Sequence, residues 1–233
     1  MMSMSRENQE LAITSAAGST TTKVHLLRHG EVDNPRGVLY GRLPNYHLSE
    51  RGQAMAERLA QVLADRDITV LVTSPLERAV ETGAPIAKAL DLQPDVDDEL
   101  IEAANVFEGL PFGVGDGSLR RPRHWRYLRN PFRPSWGEPY VEIAARMRSA
   151  MDRARQAAAG HEALLVSHQL PIWTLRSAIE GRRLWHDPRK RECALASLTT
   201  FTYRDDAVVS LAYSEPAADL APDAGQQTFP AGA

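Results

Sequence analysis

Three short segments of this 233-residue chain place arginine, histidine and serine directly after apolar runs. The segments are Arg28-His29-Gly30, Ser74 to Arg78, and Ser167-His168-Gln169. Arginine holds phosphate oxygens in a planar fork of charge-assisted hydrogen bonds, and a neutral imidazole is a nucleophile towards phosphorus. Two arginines and two histidines that met at one point would therefore suit a phosphoryl group.

Within this set, His29 is the candidate nucleophile. One nitrogen of its ring must be free to attack, so the other must donate to a fixed acceptor, for which a backbone carbonyl near Gly30 is available. Arg28 and Arg78 would hold the phosphate oxygens. The leaving alkoxide needs a proton, and Glu102 is the candidate acid.

Each of these residues has a simpler structural explanation when it is taken alone. Arg78 suits a helix surface, Ser74 suits a helix cap, and His168 suits a polar strand end. Only their conjunction favours a phosphate site. Metal binding is the rival use of the seven histidines, but no His-x-x-x-His pair and no cysteine partner occurs. The sequence therefore predicts no metal and no cofactor.

Apolar strand patterns alternate with helical patterns along the chain. Strands are predicted at 24–27, 68–73 and 163–167, helices at 49–65, from 74, at 139–159 and into 180, and a hairpin at 197–203 and 207–213. Ser74-Pro75-Leu76-Glu77 has the composition of a capping box with proline at the first helical position. Together these patterns predict an α/β fold, a three-layer sandwich with a mostly parallel central sheet, helices on both faces and a cap-like insertion. Parallel strands would bring the three polar segments to one sheet edge.

The ends of the chain differ in composition from its centre. Residues 1–22 are small and polar and are predicted to form a flexible leader, and residues 214–233 a flexible tail. Residues 23–213 form the predicted domain. Within it, about 105–137 is rich in Gly, Pro, Arg and aromatic residues and reads as a long insertion.

The overall composition restricts the kinds of molecule that the protein is expected to bind. The net charge of −3 gives no general attraction to nucleic acid or to an anionic membrane, and no apolar run is long enough to span a bilayer. The single cysteine, Cys193, excludes an internal disulfide and suits a reducing compartment. We therefore expect a cytoplasmic protein without nucleic-acid or membrane partners.

The same segments resemble the signatures of the histidine phosphatase superfamily, also called phosphoglycerate mutase-like, over about residues 23–213. Leu27-Arg28-His29-Gly30-Glu31 with Asn34 resembles the opening signature, 73–79 resembles the second arginine block, and Ser167-His168 resembles the second histidine block. The resemblance implies His29 as nucleophile and Glu102 as proton donor, with His168 beside them and Arg28, Asn34 and Arg78 on the phosphate. Uncharacterised actinobacterial members look most similar.

Several departures from the family pattern bear on function. Gln169 stands where glycine commonly follows the second histidine, so a side-chain amide is expected in the site. The segment after Glu102 looks one residue short, which keeps Glu99 as the reserve acid. The Trp-Asn pair and the substrate insert of cofactor-dependent mutases are not recognisable, so a metal-independent phosphatase of a small phosphorylated metabolite is favoured over a mutase. A non-catalytic phosphate-binding regulatory module is the third reading.

Six arginines mixed with aromatic residues at 119–137 allow two interpretations. They could form part of a cap in which Arg123 and Arg126 meet a second anionic group of the substrate. They could equally form a solvated basic loop or an oligomer contact, such as the interface of a homodimer.

Overall fold

A computed structural model describes residues 19–110 and 136–221. Its strands are β1 (Thr21–Arg28), β2 (Ile68–Thr73), β3 (Asp95–Val96), β4 (Glu162–Ser167), β5 (Leu198–Arg204) and β6 (Ala207–Ser214). Its α-helices are α1 (Glu50–Leu63), α2 (Glu77–Leu90), α3 (Tyr140–Ala157) and α4 (Gln169–Ile179). Short 3₁₀ turns cover Asp98–Leu100, Pro188–Lys190 and Ala218–Leu220.

The six strands form one sheet in the order β3-β2-β4-β1-β5-β6. The first four are parallel, and the predicted hairpin β5–β6 continues the sheet with antiparallel pairs. Arg28 is paired with Ser167, and Thr73 is paired with Val166. The carboxyl ends of β1, β2 and β4 therefore lie side by side at one edge.

Helices cover both faces of the sheet because alternate residues of a strand face opposite ways. Leu27 of β1 packs in a cluster with Met55 and Leu59 of α1, and Leu26 packs in another with Met147 of α3. The predicted three-layer α/β sandwich with a mostly parallel sheet is confirmed. In the described part of the chain, no helix is long and apolar enough to cross a membrane.

The packed structure extends beyond the predicted domain limits at both ends. β1 begins at Thr21, so the last two residues of the predicted leader belong to the sheet. After β6, Ala217 is buried in the core beside α1, and Asp219 pairs with Arg58 at 3.1 Å. The tail predicted to be flexible from 214 is therefore packed as far as this turn. Most of the predicted cap-like insertion, residues 111–135, lies outside the described residues.

The predicted start of α2 is wrong in its capping. The helix begins at Glu77 with Leu76 as its N-cap, and no side chain accepts a hydrogen bond there. The hydroxyl of Ser74 instead accepts the N–H of Leu76, before the first helical residue, at 3.4 Å and lies 2.7 Å from Nε2 of His168. By contrast, Ser49 caps α1 as its position suggests, accepting the backbone N–H of Gly52 at 3.0 Å.

At the amino end of the sheet, Glu162 is the centre of a charged network. It accepts hydrogen bonds from Lys23 at 3.0 Å and Arg66 at 2.8 Å, and it contacts Nε2 of the buried His25 at 3.0 Å. Burial raises the pKa of Glu162, but the hydrogen bonds from Arg66, Lys23 and His25 outweigh burial and lower the pKa to about 2. The carboxylate is therefore stabilised in the folded state, far from the polar edge.

We expect Glu162→Gln to lower the free energy of unfolding at neutral pH by about 2 kcal/mol, because the charged partners lose their carboxylate. A depressed folded pKa gives stability above the unfolded value of 4.5 that is lost as pH falls through about 2. The difference in the free energy of unfolding between wild type and variant, measured by urea titration, should thus become smaller as pH falls from 4.5 towards 2. Asp67→Asn, which removes an exposed partner of His161, is the control and should change little. A gap independent of pH would contradict the prediction.

Candidate active site

Five of the residues singled out from the sequence come together at the polar sheet edge. Arg28, His29, Arg78, Glu102 and His168 are each no more than 3% exposed. The rings of His29 and His168 have their centroids 5.1 Å apart. Segments that are far apart in sequence therefore form one buried polar cluster.

The ring of His29 is held in one orientation by its own backbone. Its Nδ1 lies 2.7 Å from the carbonyl oxygen of Gly30, which can only accept, so Nδ1 carries the proton and Nε2 carries the lone pair. Burial, reinforced by the charges of Arg78 and Arg28, holds the pKa of His29 well below its usual value. The imidazole is therefore neutral, with Nε2 as the nucleophilic nitrogen.

Gly30 lets the backbone after β1 approach the start of α1. A Cβ on Gly30 would lie 2.7 Å from the carbonyl oxygen of Gly52, closer than such atoms pack. The N–H of Gly30 donates to the hydroxyl of Thr82 at 3.1 Å, and that hydroxyl donates to the carbonyl of Arg78 at 2.6 Å. The histidine turn is thus linked to the helix that carries the second arginine.

Each phosphate-site arginine is fixed by one nitrogen on a backbone carbonyl. Nη1 of Arg28 donates to Cys193 at 2.7 Å, and Nη2 of Arg78 donates to Gly41 at 2.6 Å. The Arg78 guanidinium also lies 4.8 Å from the centroid of the Tyr40 ring. Among the described residues, the buried Nε of Arg28 and the buried Nε and Nη1 of Arg78 have no hydrogen-bond partner. Three donor nitrogens on two positive groups can therefore bind an anion.

His168 is the N-cap residue of α4, and the displaced cap of α2 explains its orientation. Its Nε2 meets Ser74 Oγ at 2.7 Å, while its buried Nδ1 has no partner in residues 19–110 and 136–221. Burial and the charge of Arg78 hold the pKa of His168 well below its usual value. The ring is therefore neutral, and Ser74 fixes it rather than capping a helix.

The two candidate acids lie in different surroundings. Glu102 is 3% exposed; its Oε1 accepts the N–H of Ala103 at 2.7 Å, and within the described ranges its buried Oε2 has no partner. Burial raises the pKa of Glu102, although the charges of Arg78 and Arg191 oppose that rise. Glu99 is instead bound to the exposed Arg153 at 2.5 Å. Burial thus favours the protonated form of Glu102, whereas the Glu99 side chain is paired with Arg153 outside the cluster.

Residues 24–216 match the model of the histidine phosphatase superfamily (branch 1). The chain belongs to this superfamily. It is 60% identical to the uncharacterised protein Rv0525 of Mycobacterium tuberculosis, over 84% of this chain and 98% of that one. A probable phosphoglycerate mutase GpmB of Yersinia enterocolitica is 32% identical over 75% of this chain and 83% of its own length.

Among solved structures, the mycobacterial glucosyl-3-phosphoglycerate phosphatase Rv2419c has the same fold. Its TM-score is 0.68 at 24% identity, over 83% of this chain and 97% of that one. Similarity at this level concerns the fold. The named proteins that this chain resembles thus include a phosphatase, by fold, and a probable phosphoglycerate mutase, by sequence.

Two residues predicted to lie at the phosphate, Asn34 from the superfamily signature and Gln169 as a departure from it, have other recorded contacts. The side chain of Asn34 bonds the N–H and the carbonyl of Val38, which closes the loop after β1. The amide of Gln169 donates to the Cys193 carbonyl at 3.3 Å and accepts from Arg191 at 3.3 Å. Gln169 therefore shares an anchoring carbonyl with Arg28.

The structure adds residues to this superfamily site that sequence reasoning missed. The Tyr40 ring packs against the Arg78 guanidinium, and its centroid lies 6.5 Å from the centroid of the His29 ring. Arg191 reaches the site from the loop between α4 and β5. Tyr40 directly precedes Gly41, whose carbonyl anchors Arg78, and no sequence signal distinguishes Arg191 from the other arginines of its loop.

Arg123 and Arg126, the predicted cap arginines, lie outside the described residues. In the ranges that are described, no group of three or more His, Cys, Asp or Glu side chains is arranged to hold a metal ion.

Proposed function

We propose that this histidine phosphatase superfamily member is a metal-independent phosphatase that hydrolyses a phosphate monoester through a phosphohistidine on His29. The observation that carries the proposal is the neutral His29, with Nε2 as its nucleophilic nitrogen, beside three donor nitrogens of Arg28 and Arg78 that have no partner among the described residues. A phosphate dianion would satisfy these donors and balance both positive charges. The two guanidinium groups supply the charge stabilisation that a metal ion supplies in other hydrolases.

In the first step, Nε2 of His29 forms a bond to phosphorus while the bond from phosphorus to the ester oxygen breaks. The proton stays on Nδ1 and remains hydrogen-bonded to the Gly30 carbonyl, which stabilises the positive charge that develops on the ring. The leaving oxygen takes a proton from Glu102, whose raised pKa keeps it protonated at higher pH than an ordinary glutamate. His168 would donate to a phosphoryl oxygen through Nδ1, because its Nε2 can accept the Ser74 proton.

In the second step, water replaces the alcohol. The Glu102 carboxylate takes a proton from water, the water oxygen bonds to phosphorus, and the Nε2–phosphorus bond breaks. Inorganic phosphate leaves, and His29 and Glu102 return to their starting states. The same acid thus serves as base in the reverse proton transfer.

A small phosphorylated metabolite is the proposed substrate, and the cytoplasm is the proposed compartment, since the single cysteine has no intramolecular disulfide partner. Phosphatase is preferred to mutase because the Trp-Asn pair and substrate insert of the cofactor-dependent mutases are not recognisable in the sequence. A mutase would instead retain the phosphoryl group and return it to another oxygen of the same molecule.

The test is a rapid-quench experiment with radiolabelled phosphate monoesters, performed in the presence of a chelator. A phosphatase gives acid-labile label on His29 followed by inorganic phosphate. An isomeric phosphate ester with little inorganic phosphate would instead show a mutase. Binding of phosphate with neither label nor turnover would show a regulatory module, and loss of turnover on chelation would reject the metal-independent route.

A further inference from the structure

Arg191 is a third arginine at the active site that the proposed reaction does not use. Its Nη1 donates to Oε1 of Gln169 at 3.3 Å, and Gln169 directly follows His168. The amide of Gln169 reaches the Cys193 carbonyl, which also anchors Arg28. A continuous set of polar contacts therefore connects the phosphate arginine to Arg191.

Both recorded hydrogen-bond partners of Arg191 are neutral. Besides the Gln169 amide, Nε of Arg191 donates to Nε2 of His186 at 2.8 Å. Nδ1 of His186 donates to the carbonyl of Leu184 at 2.6 Å, which leaves Nε2 as the acceptor. Burial and the nearby charge of Arg191 lower the pKa of His186 to about 4, so this imidazole is uncharged at neutral pH.

The half-buried Arg191 differs in this respect from the neighbouring arginines. Arg176 pairs with Glu192 at 2.6 Å, Arg182 with Glu180 at 3.0 Å, and Arg189 with Asp187 at 2.7 Å. Across residues 19–110 and 136–221, Arg191 makes no ion pair with a carboxylate. A guanidinium withdrawn from water without a counter-ion is unfavourable, and an anion that bound to it would remove that cost.

The charges of the site leave Arg191 unbalanced even when phosphate is bound. The dianion of a phosphate monoester balances Arg28 and Arg78. Arg146 is paired with Glu138 at 2.7 Å. Glu102 is within electrostatic reach of Arg191, but burial favours its neutral form. One positive group next to the reacting phosphate is therefore available to the rest of the substrate.

The loop that carries Arg191 is fixed by packing. Trp173 of α4 lies 5.5 Å from the Arg176 guanidinium and 5.9 Å from the His186 ring. The ring of Tyr140, at the start of α3, is 5.6 Å from that of His186. Aromatic side chains from two helices thus hold the acceptor that orients Arg191, which makes a preformed binding group rather than a mobile surface charge.

We propose that Arg191 binds a second acidic group, a carboxylate or a phosphate, carried by the substrate of the proposed phosphatase. This inference rests on the proposed function and narrows it: the preferred substrates are phosphate esters with another anionic group. A planar guanidinium suits either group, because each offers two oxygens to a fork of N–H donors.

Two matched pairs of compounds test the proposal and identify the acidic group. 3-Phosphoglycerate and glycerol 3-phosphate differ in a carboxylate against a hydroxymethyl group, and fructose 1,6-bisphosphate has one phosphate more than fructose 6-phosphate. We expect the wild type to favour the more acidic member of at least one pair by about tenfold in kcat/KM and in affinity. The pair that shows the preference identifies the group.

Arg191→Gln should remove that preference through KM and leave kcat/KM for p-nitrophenyl phosphate within about threefold. Arg191→Lys should keep part of the preference. Arg189→Gln, in the same loop but paired with Asp187, is the matched control and should behave as wild type. Thermal unfolding of all three variants checks that they remain folded.

The proposal is overturned if neither pair shows a preference in the wild type. It is also overturned if Arg191→Gln changes kcat/KM equally for both members of a pair, since Arg191 would then not recognise the second acidic group. Affinities are measured by calorimetry in His29→Gln, with and without Arg191→Gln. These affinities test the role of Arg191 even if the protein shows no turnover. Failure of the wild type to hydrolyse p-nitrophenyl phosphate would count against the proposed function and not against Arg191.

Discussion

We expect His29→Ala to lower kcat/KM for every phosphate monoester by roughly 10⁴-fold or more, because the reaction loses its nucleophile and not merely a binding contact. The acid-labile phosphate adduct should disappear with the activity. Steady-state assays and rapid-quench labelling measure the two effects. No other described group is placed to replace His29, since His168 has its Nε2 engaged by Ser74.

His29→Gln guards against misfolding, since it keeps most of the side-chain volume in a position that is 1% exposed. It should bind inorganic phosphate through Arg28 and Arg78 while remaining inactive. His161→Gln, at the opposite end of the sheet, is the control and should keep full activity. Turnover within tenfold of wild type in both His29 variants would contradict the phosphohistidine route.

The second large effect is expected for Glu102→Gln, and it should depend on the leaving group. We expect kcat/KM to fall by about 10²–10⁴-fold for alkyl phosphates, whose alkoxide must be protonated as it leaves. For p-nitrophenyl phosphate, whose phenolate leaves without a proton, the fall should be much smaller. A series of substrates with increasingly basic leaving groups measures the difference. Glu99→Gln is the matched control, because Glu99 is bound to Arg153 instead.

The pH dependence follows from the raised pKa of Glu102. The proton is needed on the acid, so kcat/KM for alkyl phosphates should fall by about tenfold per pH unit once pH exceeds that pKa. Because burial raises the pKa of Glu102, this loss should occur at higher pH than for an ordinary glutamate. This alkaline limb, the fall of kcat/KM at high pH, should be absent in Glu102→Gln. An alkaline limb that persists in this variant, or appears equally with p-nitrophenyl phosphate, would assign the acid elsewhere.

Much of the fold was predictable because periodicity reports local structure directly. The apolar runs at 68–73 and 163–167 became β2 and β4 within one residue, and the helix predicted at 139–159 became α3. Such runs are long enough for burial to dominate the choice of conformation. The two-residue strand β3 carries no comparable pattern and was not predicted.

The capping of α2 shows where local rules lose to tertiary contacts. Ser74-Pro75-Leu76-Glu77 has the composition of a capping box, but His168 arrives from another strand and bonds the serine hydroxyl. A hydroxyl near the backbone N–H groups of a helix start is worth about 1 kcal/mol there. A buried histidine nitrogen without a partner costs about as much or more, and the Ser74 hydroxyl donates to His168 while it accepts the N–H of Leu76 at 3.4 Å.

Four residues of the candidate site could be brought together from the sequence alone. Arg28, His29, Arg78 and His168 end or follow predicted parallel strands, and parallel strands must bring these ends to one edge. Even the acceptor for His29 Nδ1 could be inferred, because the carbonyl of Gly30 is one residue away. Chain connectivity and strand direction sufficed for these positions.

Only the tertiary structure decided the remaining features. Glu99 and Glu102 are the same residue type in one acidic segment, so the sequence does not distinguish them. Folding buries Glu102 and pairs Glu99 with Arg153. Arg191 becomes distinct from the other arginines of its loop because its partners, Gln169 and His186, are neutral. Desolvation and charge balance depend on every neighbour in space, whereas periodicity and spacing depend on neighbours in the chain. The candidate nucleophile could therefore be named from the sequence, whereas the choice between Glu102 and Glu99 and the proposed role of Arg191 depend on the tertiary structure.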